Sequence, residues 1–389
     1  MRLIPYGHQS IDDHDIEAVV KVLKSDYLTQ GPKCSEFESD FSKAVGSKSA
    51  IAVNSGTSAL HIACLSLGLG PGDILWTSPI SFVASANCAL YCGATVDFVD
   101  INPGDSNISI SELEKKLELA KSVNTLPKIV VIVHFAGLPC DLFEIKRLSD
   151  RYGFKIIEDA AHALGAIYRD STIGDCRYSD ITTFSFHPIK SITTAEGGML
   201  TTNDAELSSQ LCLLRSHGIT RDAEKFTHHP HGDWYYEQVS LGFNYRLSDM
   251  SAALGISQLK KLDLFVEKRL NIAQHYRSTL NSNYLQVQGE YSDRVSSWHI
   301  FPIQFNAKLT EHREQIFNML RAKNIGVNIH YIPIHLQPYY QRLGFKHGDF
   351  PNAEAYYQSA ITLPIFVDLS MQEVEYVIET LNKTITKFL

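Results

Sequence analysis

Three features of this chain could do chemistry together: an amine able to condense with carbonyls, a carboxylate ending an apolar strand, and a glycine where a strand runs into a helix. Lys190 follows the β-like segment Phe184-Ser185-Phe186-His187-Pro188 and precedes Thr193-Thr194-Ala195-Glu196-Gly197-Gly198. A lone lysine is ordinarily a solvated surface charge. This one sits in a neutral, partly apolar stretch, where burial would lower its pKa and free the amine for attack on a carbonyl. Asp159 ends a strand after Ile156-Ile157-Glu158. A carboxylate at that depth is costly unless it meets a cation or several donors; on a surface turn it would need neither. Adjacent strand residues point to opposite faces, so Glu158 is expected to face outward into solvent. Asn54-Ser55-Gly56-Thr57-Ser58 lies at a strand-to-helix junction. There glycine permits close approach of a ligand, and free N–H groups can receive a phosphate. Taken alone, the same segment also reads as a simple N-cap by Ser55 or Thr57.

The elements that must position these groups follow from hydrophobic periodicity. Ser10 reads as the N-cap of a first short helix, and Phe37, Phe41 and Val45 mark a second at four-residue spacing. Strands are expected at 50–53, 74–77, 95–99, 128–134, 155–158, 181–186 and 198–202. Helices at 57–67, 81–91, 113–119, 142–152 and 205–216 alternate with them. This alternation predicts an α/β fold with a mostly parallel sheet covered on both faces. Residues 1–250 are expected to form the large domain and 251–389 a smaller α+β domain with long helices at its start. Ligands of an open parallel sheet sit beyond the strands' carboxyl ends. The polar groups there, Asn54 to Thr57, Ser78, His134, Asp159 to His162 and Ser185 to His187, are expected to converge on one site.

Composition narrows the function classes. The net charge of −8, with no basic block, argues against nucleic acid or an anionic membrane as the main partner. No apolar run approaches a membrane span, and the N-terminal segment lacks the apolar core of a signal peptide. Seven scattered cysteines without a CxxC pair read as reduced thiols in a cytoplasmic protein. There is no Walker loop, no GxGxxG after a strand and no GxSxG elbow. The histidines of Thr227-His228-His229-Pro230-His231 lack complementary ligand spacing, so no metal is expected and the segment reads as a mobile, solvated loop near the site.

Four ordered motifs carry a resemblance: NSGTSAL (54–60), EDAAHALGA (158–166), FSFHPIKSITTAEGGM (184–199) and GFNYRLSDMSAALGISQLKKLD (242–263). Together they resemble the sugar-nucleotide aminotransferases of the DegT/DnrJ/EryC/StrS type, which have the aspartate-aminotransferase fold and use pyridoxal 5'-phosphate. The segments YLTQGPK (27–33), TSPISFVASAN (77–87), IKSITTAEGG (189–198) and LRSHGI (214–219) are most similar to the transaminases of pseudaminic acid biosynthesis. The resemblance implies transfer of the amino group of L-glutamate to a UDP-linked 4-keto-6-deoxy-N-acetyl-hexosamine, giving the UDP-4-amino-4,6-dideoxy sugar.

It also implies residue roles. Lys190 becomes the catalytic Schiff-base lysine and proton shuttle, Asp159 the partner of the pyridine nitrogen, and Phe82 the ring that stacks on the cofactor. His162 stands where many relatives have glutamine near the ring hydroxyl. Gly56, Thr57 and Ser185 would hold the phosphate, with Asn244 reaching it from the second subunit of a homodimer. Tyr6, Tyr27, Thr29, Asn328, His330, Tyr331 and Tyr340 would contact the nucleotide-sugar, and Arg246 or Arg215 the glutamate side-chain carboxylate. Two competing readings are a sugar dehydrase of the same fold, in which histidine replaces the lysine, and a regulator that kept the fold. Lys190 opposes the first; Asp159, Ser185 and Lys190 together oppose the second.

Overall fold

A computed structural model describes residues 3–389. Helix α1 (Asp13–Leu23) is capped by Asp12 rather than Ser10. Asp12 accepts from the Asp15 amide while Asp15 returns the bond to the Asp12 amide, a reciprocal cap that leaves Ser10 upstream of the helix. Helix α2 (Pro32–Val45) follows, then β1 (Ser49–Val53), α3 (Gly56–Ser66), β2 (Ile74–Thr77), α4 (Ala84–Tyr91), β3 (Thr95–Phe98), α5 (Ile110–Ser122), β4 (Ile129–Val133), α6 (Leu142–Tyr152) and β5 (Lys155–Asp159). Strands β6 (Ile181–Ser185) and β7 (Gly198–Thr202) precede α7 (Ala205–Arg215).

The seven strands form one sheet in the order β1-β7-β6-β5-β4-β2-β3. Strands β3, β2, β4, β5 and β6 pair in parallel, whereas β7 runs antiparallel to both β6 and β1. Period-2 alternation sends Val130 and Ile132 of β4 into one core, with Phe41, Leu117 and Leu148. Ile129 and Val131 go into the other, with Leu60, Ile62 and Ala86. Both faces are thus covered by helices, as an all-buried parallel ladder requires.

Helices α8 (Asp249–Leu259) and α9 (Leu262–Thr279) come next. Ala252 and Ile256 of α8 share a core with Phe37 and Phe41, and α8 packs against α1 and α2. This packing ties α8 to the large sheet's core. A third core joins α9, α10 (Arg313–Ala322) and α12 (Met371–Ile385) to strands β8 (Leu285–Val287), β9 (Phe301–Phe305) and β10 (Ala360–Leu363). Helix α11 (Pro351–Ser359) instead places Ala353 and Tyr356 in the core of the large sheet. Among the described residues no helix is long and apolar enough to cross a membrane.

Candidate active site

The carboxyl ends of β1, β5 and β6 open into a cleft of about 560 Å³ that also takes walls from the segment 328–331 and from Tyr6. The start of α3 forms its floor. Ser55 caps this helix by accepting from the Ser58 amide at 3.1 Å, leaving the first-turn amides of Gly56 and Thr57 at the cleft wall. Strand β6 passes so close that a Cβ on Gly56 would lie 2.9 Å from Ser185 Cβ. Across the same junction, a Cβ on Gly198 would meet the Ser55 carbonyl oxygen at 2.6 Å. Bare backbone, a hydroxyl and a helix N-terminus are therefore gathered at one point, a combination suited to a phosphate dianion.

Asp159, the last residue of β5, is buried at the cleft. Its Oδ2 accepts from the Ser85 hydroxyl at 2.6 Å and its Oδ1 from the Ala161 amide at 3.2 Å. Ser85 in turn lies 2.7 Å from the Ser81 hydroxyl, tying the carboxylate to the start of α4. Lys190 lines the same cleft, its Nζ 3.5 Å from His299 Nε2. Burial pushes its amine down to about 8, with the Asp159 carboxylate opposing the shift.

Three buried imidazoles complete the site. His162 Nε2 is 3.0 Å from the Tyr331 hydroxyl. His330 Nδ1 is 2.9 Å from Thr362 Oγ1, and its ring lies 5.2 Å from that of Tyr6. Burial, reinforced by the Lys190 charge, holds His162 and His299 well below the ordinary imidazole range and lowers His330 to about 4. At neutral pH all three are uncharged hydrogen-bonding groups.

The structure thus brings together Tyr6, Gly56, Thr57, Phe82, Asp159, His162, Ser185, Lys190, Asn328, His330 and Tyr331. Tyr340 lies elsewhere: it is 2% exposed, packs against Phe98 and donates its hydroxyl hydrogen bond to Asn87 at 2.6 Å. The expected sugar contact of Tyr340 gives way to core packing. Tyr27, Thr29 and Asn244 are exposed and do not line this chain's own cleft. His134 and Ser78 do not join the cleft either. His134 accepts from the Cys140 amide at 3.0 Å and turns Nε2 to Glu158 at 2.8 Å, while Ser78 Oγ caps the Ile80 amide.

That contact also corrects the expectation for Glu158. The residue does point away from Asp159, but the opposite face of a central strand is helix-covered, so it is 2% exposed. Thr182, Ser179 and His134 satisfy its oxygens. Arg215 is committed to Glu38 and to the Ala52 carbonyl, which leaves it unfit to meet a glutamate carboxylate. The loop at 227–231 is exposed throughout, in keeping with the solvated segment expected, and its start is tied down by Glu237. Glu237 accepts from the amides of Thr227 and His228 and from the Tyr235 hydroxyl. Sequence reasoning missed Ser85 and His299. Serine at a helix start and a histidine in a loop carry no pattern that separates them from ordinary caps and packing.

The arrangement fits pyridoxal 5'-phosphate on three counts: a desolvated lysine amine, a buried carboxylate with donors of its own, and an anion cradle that a side chain on Gly56 would fill. Comparisons with known proteins agree in kind. The chain is 38% identical over 386 residues, 99% of it and 98% of the relative, to the UDP-4-amino-4,6-dideoxy-N-acetyl-beta-L-altrosamine transaminase of Campylobacter jejuni. It is also 38% identical, with 97% and 96% covered, to the spore coat polysaccharide biosynthesis protein SpsC of Bacillus subtilis. Among solved structures, the PseC aminotransferase of Helicobacter pylori, involved in the biosynthesis of pseudoaminic acid, superposes with a TM-score of 0.91 at 33% identity, each chain fully covered. Residues 9–382 match the DegT/DnrJ/EryC1/StrS aminotransferase family, and the chain belongs to it.

Proposed function

We propose that this protein moves the amino group of L-glutamate to a UDP-linked 4-keto-6-deoxy-N-acetyl-hexosamine, with pyridoxal 5'-phosphate held at Lys190. The observation that carries the reading is the desolvated Lys190 amine in a cleft shared with the Asp159 carboxylate and the Gly56–Ser185 cradle. The relatives named as altrosamine transaminase and PseC support the sugar class. When bound, the cofactor supplies an electron sink and stores the amino group between two half-reactions.

The rest falls to this chain. Lys190, neutral over part of the physiological range, can take a proton from the amino donor's carbon and return one to the other reacting carbon. Asp159, aimed by the hydrogen bonds it accepts from Ser85 and Ala161, suits a protonated ring nitrogen. The amides of Gly56 and Thr57 and the Ser185 hydroxyl would fix the phosphate, while Phe82 and His162 flank the ring. Tyr6, Asn328, His330 and Tyr331 form the wall on which the sugar would lie. Asn244, Tyr27 and Thr29 project outward and, in a homodimer, would serve the neighbouring site. Exposed Leu241 and Trp234, at 78% and 71%, mark apolar surface of the kind a partner subunit covers.

The test is spectroscopic and chemical. Purified protein loaded with pyridoxal 5'-phosphate should show a visible band that L-glutamate bleaches with release of 2-oxoglutarate. A panel of UDP-linked keto sugars should then restore it, the 4-keto-6-deoxy-N-acetyl-hexosamine most efficiently. SpsC is as similar as the altrosamine transaminase. A different nucleotide-linked keto sugar winning the panel would therefore move the substrate while keeping the reaction. Sugar turnover without glutamate consumption would point to a dehydrase instead, and a Lys190→Ala protein with repeated turnover would end the assignment.

A further inference from the structure

His299 stands outside every motif that identifies the family here, yet it is the side chain nearest the Lys190 amine in the hydrogen-bond network, at 3.5 Å. It is 3% exposed, so its ring was desolvated at a cost that packing alone does not explain. Its Nδ1 is buried and has no partner among the described residues, and the same holds for Nδ1 of His162, whose ring lies 4.4 Å away. A buried nitrogen without a partner is expensive, and a phenylalanine would fill the same space without it.

The backbone that presents His299 is held with equal care. Trp298 occupies the left-handed region at φ +48, a conformation that non-glycine residues rarely adopt. Arg269, 1% exposed, donates to the carbonyls of His299 and Ile365 at 3.1 Å each. The His299 amide donates to the Ala136 carbonyl at 3.0 Å. A buried guanidinium and a strained residue thus set the direction of one imidazole.

We propose that His299 is a positioning residue for Lys190: its Nε2 holds the lysine amine in place through the steps in which that amine is not bonded to the cofactor. The inference rests on the role assigned to Lys190 above. Other groups facing the amine are Asp159 from the end of β5, His162 just after it and His330 from the segment before α11, with Arg269 behind His299. Of these, Asp159 is the one anion and favours the ammonium, whereas the imidazoles are neutral. His299 is the one whose ring nitrogen is within hydrogen-bonding reach of the amine. It can accept from the ammonium, or donate to the neutral amine after a tautomer change, so it serves both protonation states.

The test measures Lys190 itself in the cofactor-free full-length chain. The rate of modification by an amine reagent is followed against pH, reading the Lys190 peptide by mass spectrometry. His299→Phe keeps the ring volume and removes the acceptor, so the midpoint for Lys190 should fall by about one pH unit. His299→Gln restores an acceptor and should bring it back towards wild type. In the loaded enzyme, His299→Phe should slow the glutamate half-reaction with little change in glutamate affinity, a split that loss of packing would not give. A Phe variant with the wild-type midpoint would overturn the proposal. Should that variant not fold, nitrogen NMR of the wild-type imidazoles serves instead: the His299 Nε2 signal should move through the Lys190 titration and lose that step in Lys190→Met. A signal indifferent to Lys190→Met would equally overturn it. Failure of the cofactor reading looks different, since pyridoxal 5'-phosphate would then produce no visible band in any of these proteins.

Discussion

The Ser85 hydroxyl donates to Asp159 Oδ2 at 2.6 Å, joining the second residue of α4 to the last residue of β5. This bond stabilises the ionised carboxylate and aims it, and a carboxylate that must meet a ring nitrogen gains from both. Ser85→Ala removes one charge-assisted hydrogen bond, worth about 1.5–3 kcal/mol at a buried site. Affinity for pyridoxal 5'-phosphate should fall by roughly tenfold or more while the far-ultraviolet spectrum stays unchanged. Titration of the cofactor-free protein, followed in the visible, checks this. Unaltered affinity would mean that the Ala161 amide alone suffices to orient Asp159.

Gly56 is required for space rather than for conformational freedom. The Cβ of Gly56→Ala would sit 2.9 Å from Ser185 Cβ and 3.4 Å from Ser185 Cα, so either the start of α3 or the end of β6 must move. Overpacking of this kind costs about 1–3 kcal/mol, and here it also closes the anion cradle. We expect a lowered melting temperature and a larger loss of cofactor affinity than for Ser85→Ala. Thermal denaturation of the cofactor-free chain separates the two effects, because only the first survives without the ligand.

Lys190 makes the chain sensitive to pH in a defined direction. Its folded-state pKa of about 8 lies below the ordinary lysine value of 10.5, so between these values the unfolded chain binds more protons than the folded one. Burying the ammonium therefore costs stability fully below about pH 8, and the cost is relieved as pH rises towards 10.5. Lys190→Met should be more stable than wild type below pH 8, with the difference shrinking above it. Uptake of pyridoxal 5'-phosphate by the wild-type chain should quicken about tenfold per unit as pH approaches 8 and then level off. Melting curves across pH 6–10 and stopped-flow absorbance read the two arms. A Met variant that tracks wild type at every pH would show that the amine is solvated in solution.

Most of the frame that holds these groups was readable in advance, for a physical reason. Strands buried on both faces, such as Ile129–Val133, show as continuous apolar runs, and helices such as Leu142–Tyr152 show as periodic ones. What periodicity does not encode is direction and depth. Nothing in Gly198–Thr202 says that it runs antiparallel to its neighbours. The alternation of Glu158 and Asp159 was legible, but not the helices that bury Glu158 against His134. That Gly56, Asp159, Ser185 and Lys190 share one cleft was legible because strand-end placement limits where such residues can point. Tyr340 was misplaced because a tyrosine offers a ring to a core as readily as to a ligand, and here Phe98 takes it. His299 escaped because its position depends on Arg269 and Ala136, both remote in sequence.

Asn244 offers a test of whether the site is shared between subunits. It is exposed beside Asn54, whose side-chain amide donates to the Asn244 carbonyl at 3.4 Å, so it sits at the rim of the α3 floor with its side chain free to reach another chain. If it serves the neighbouring site, Lys190→Ala and Asn244→Ala homodimers should each be impaired, the first wholly and the second in cofactor affinity. Mixed dimers behave differently. In a hybrid, one site carries both defects, while the other combines an intact Lys190 with an intact Asn244 from the opposite chain. Random mixing makes about half the dimers hybrid, each with one good site of two, so co-expression should restore roughly a quarter of wild-type activity. If Asn244 acts within its own chain, each hybrid site keeps a single defect and the mixture performs no better than the average of its parents. Activity of the co-purified hybrid, selected by two different affinity tags and assayed at limiting cofactor, decides between these outcomes: with one good site of two it should reach about half of wild type if the site is shared.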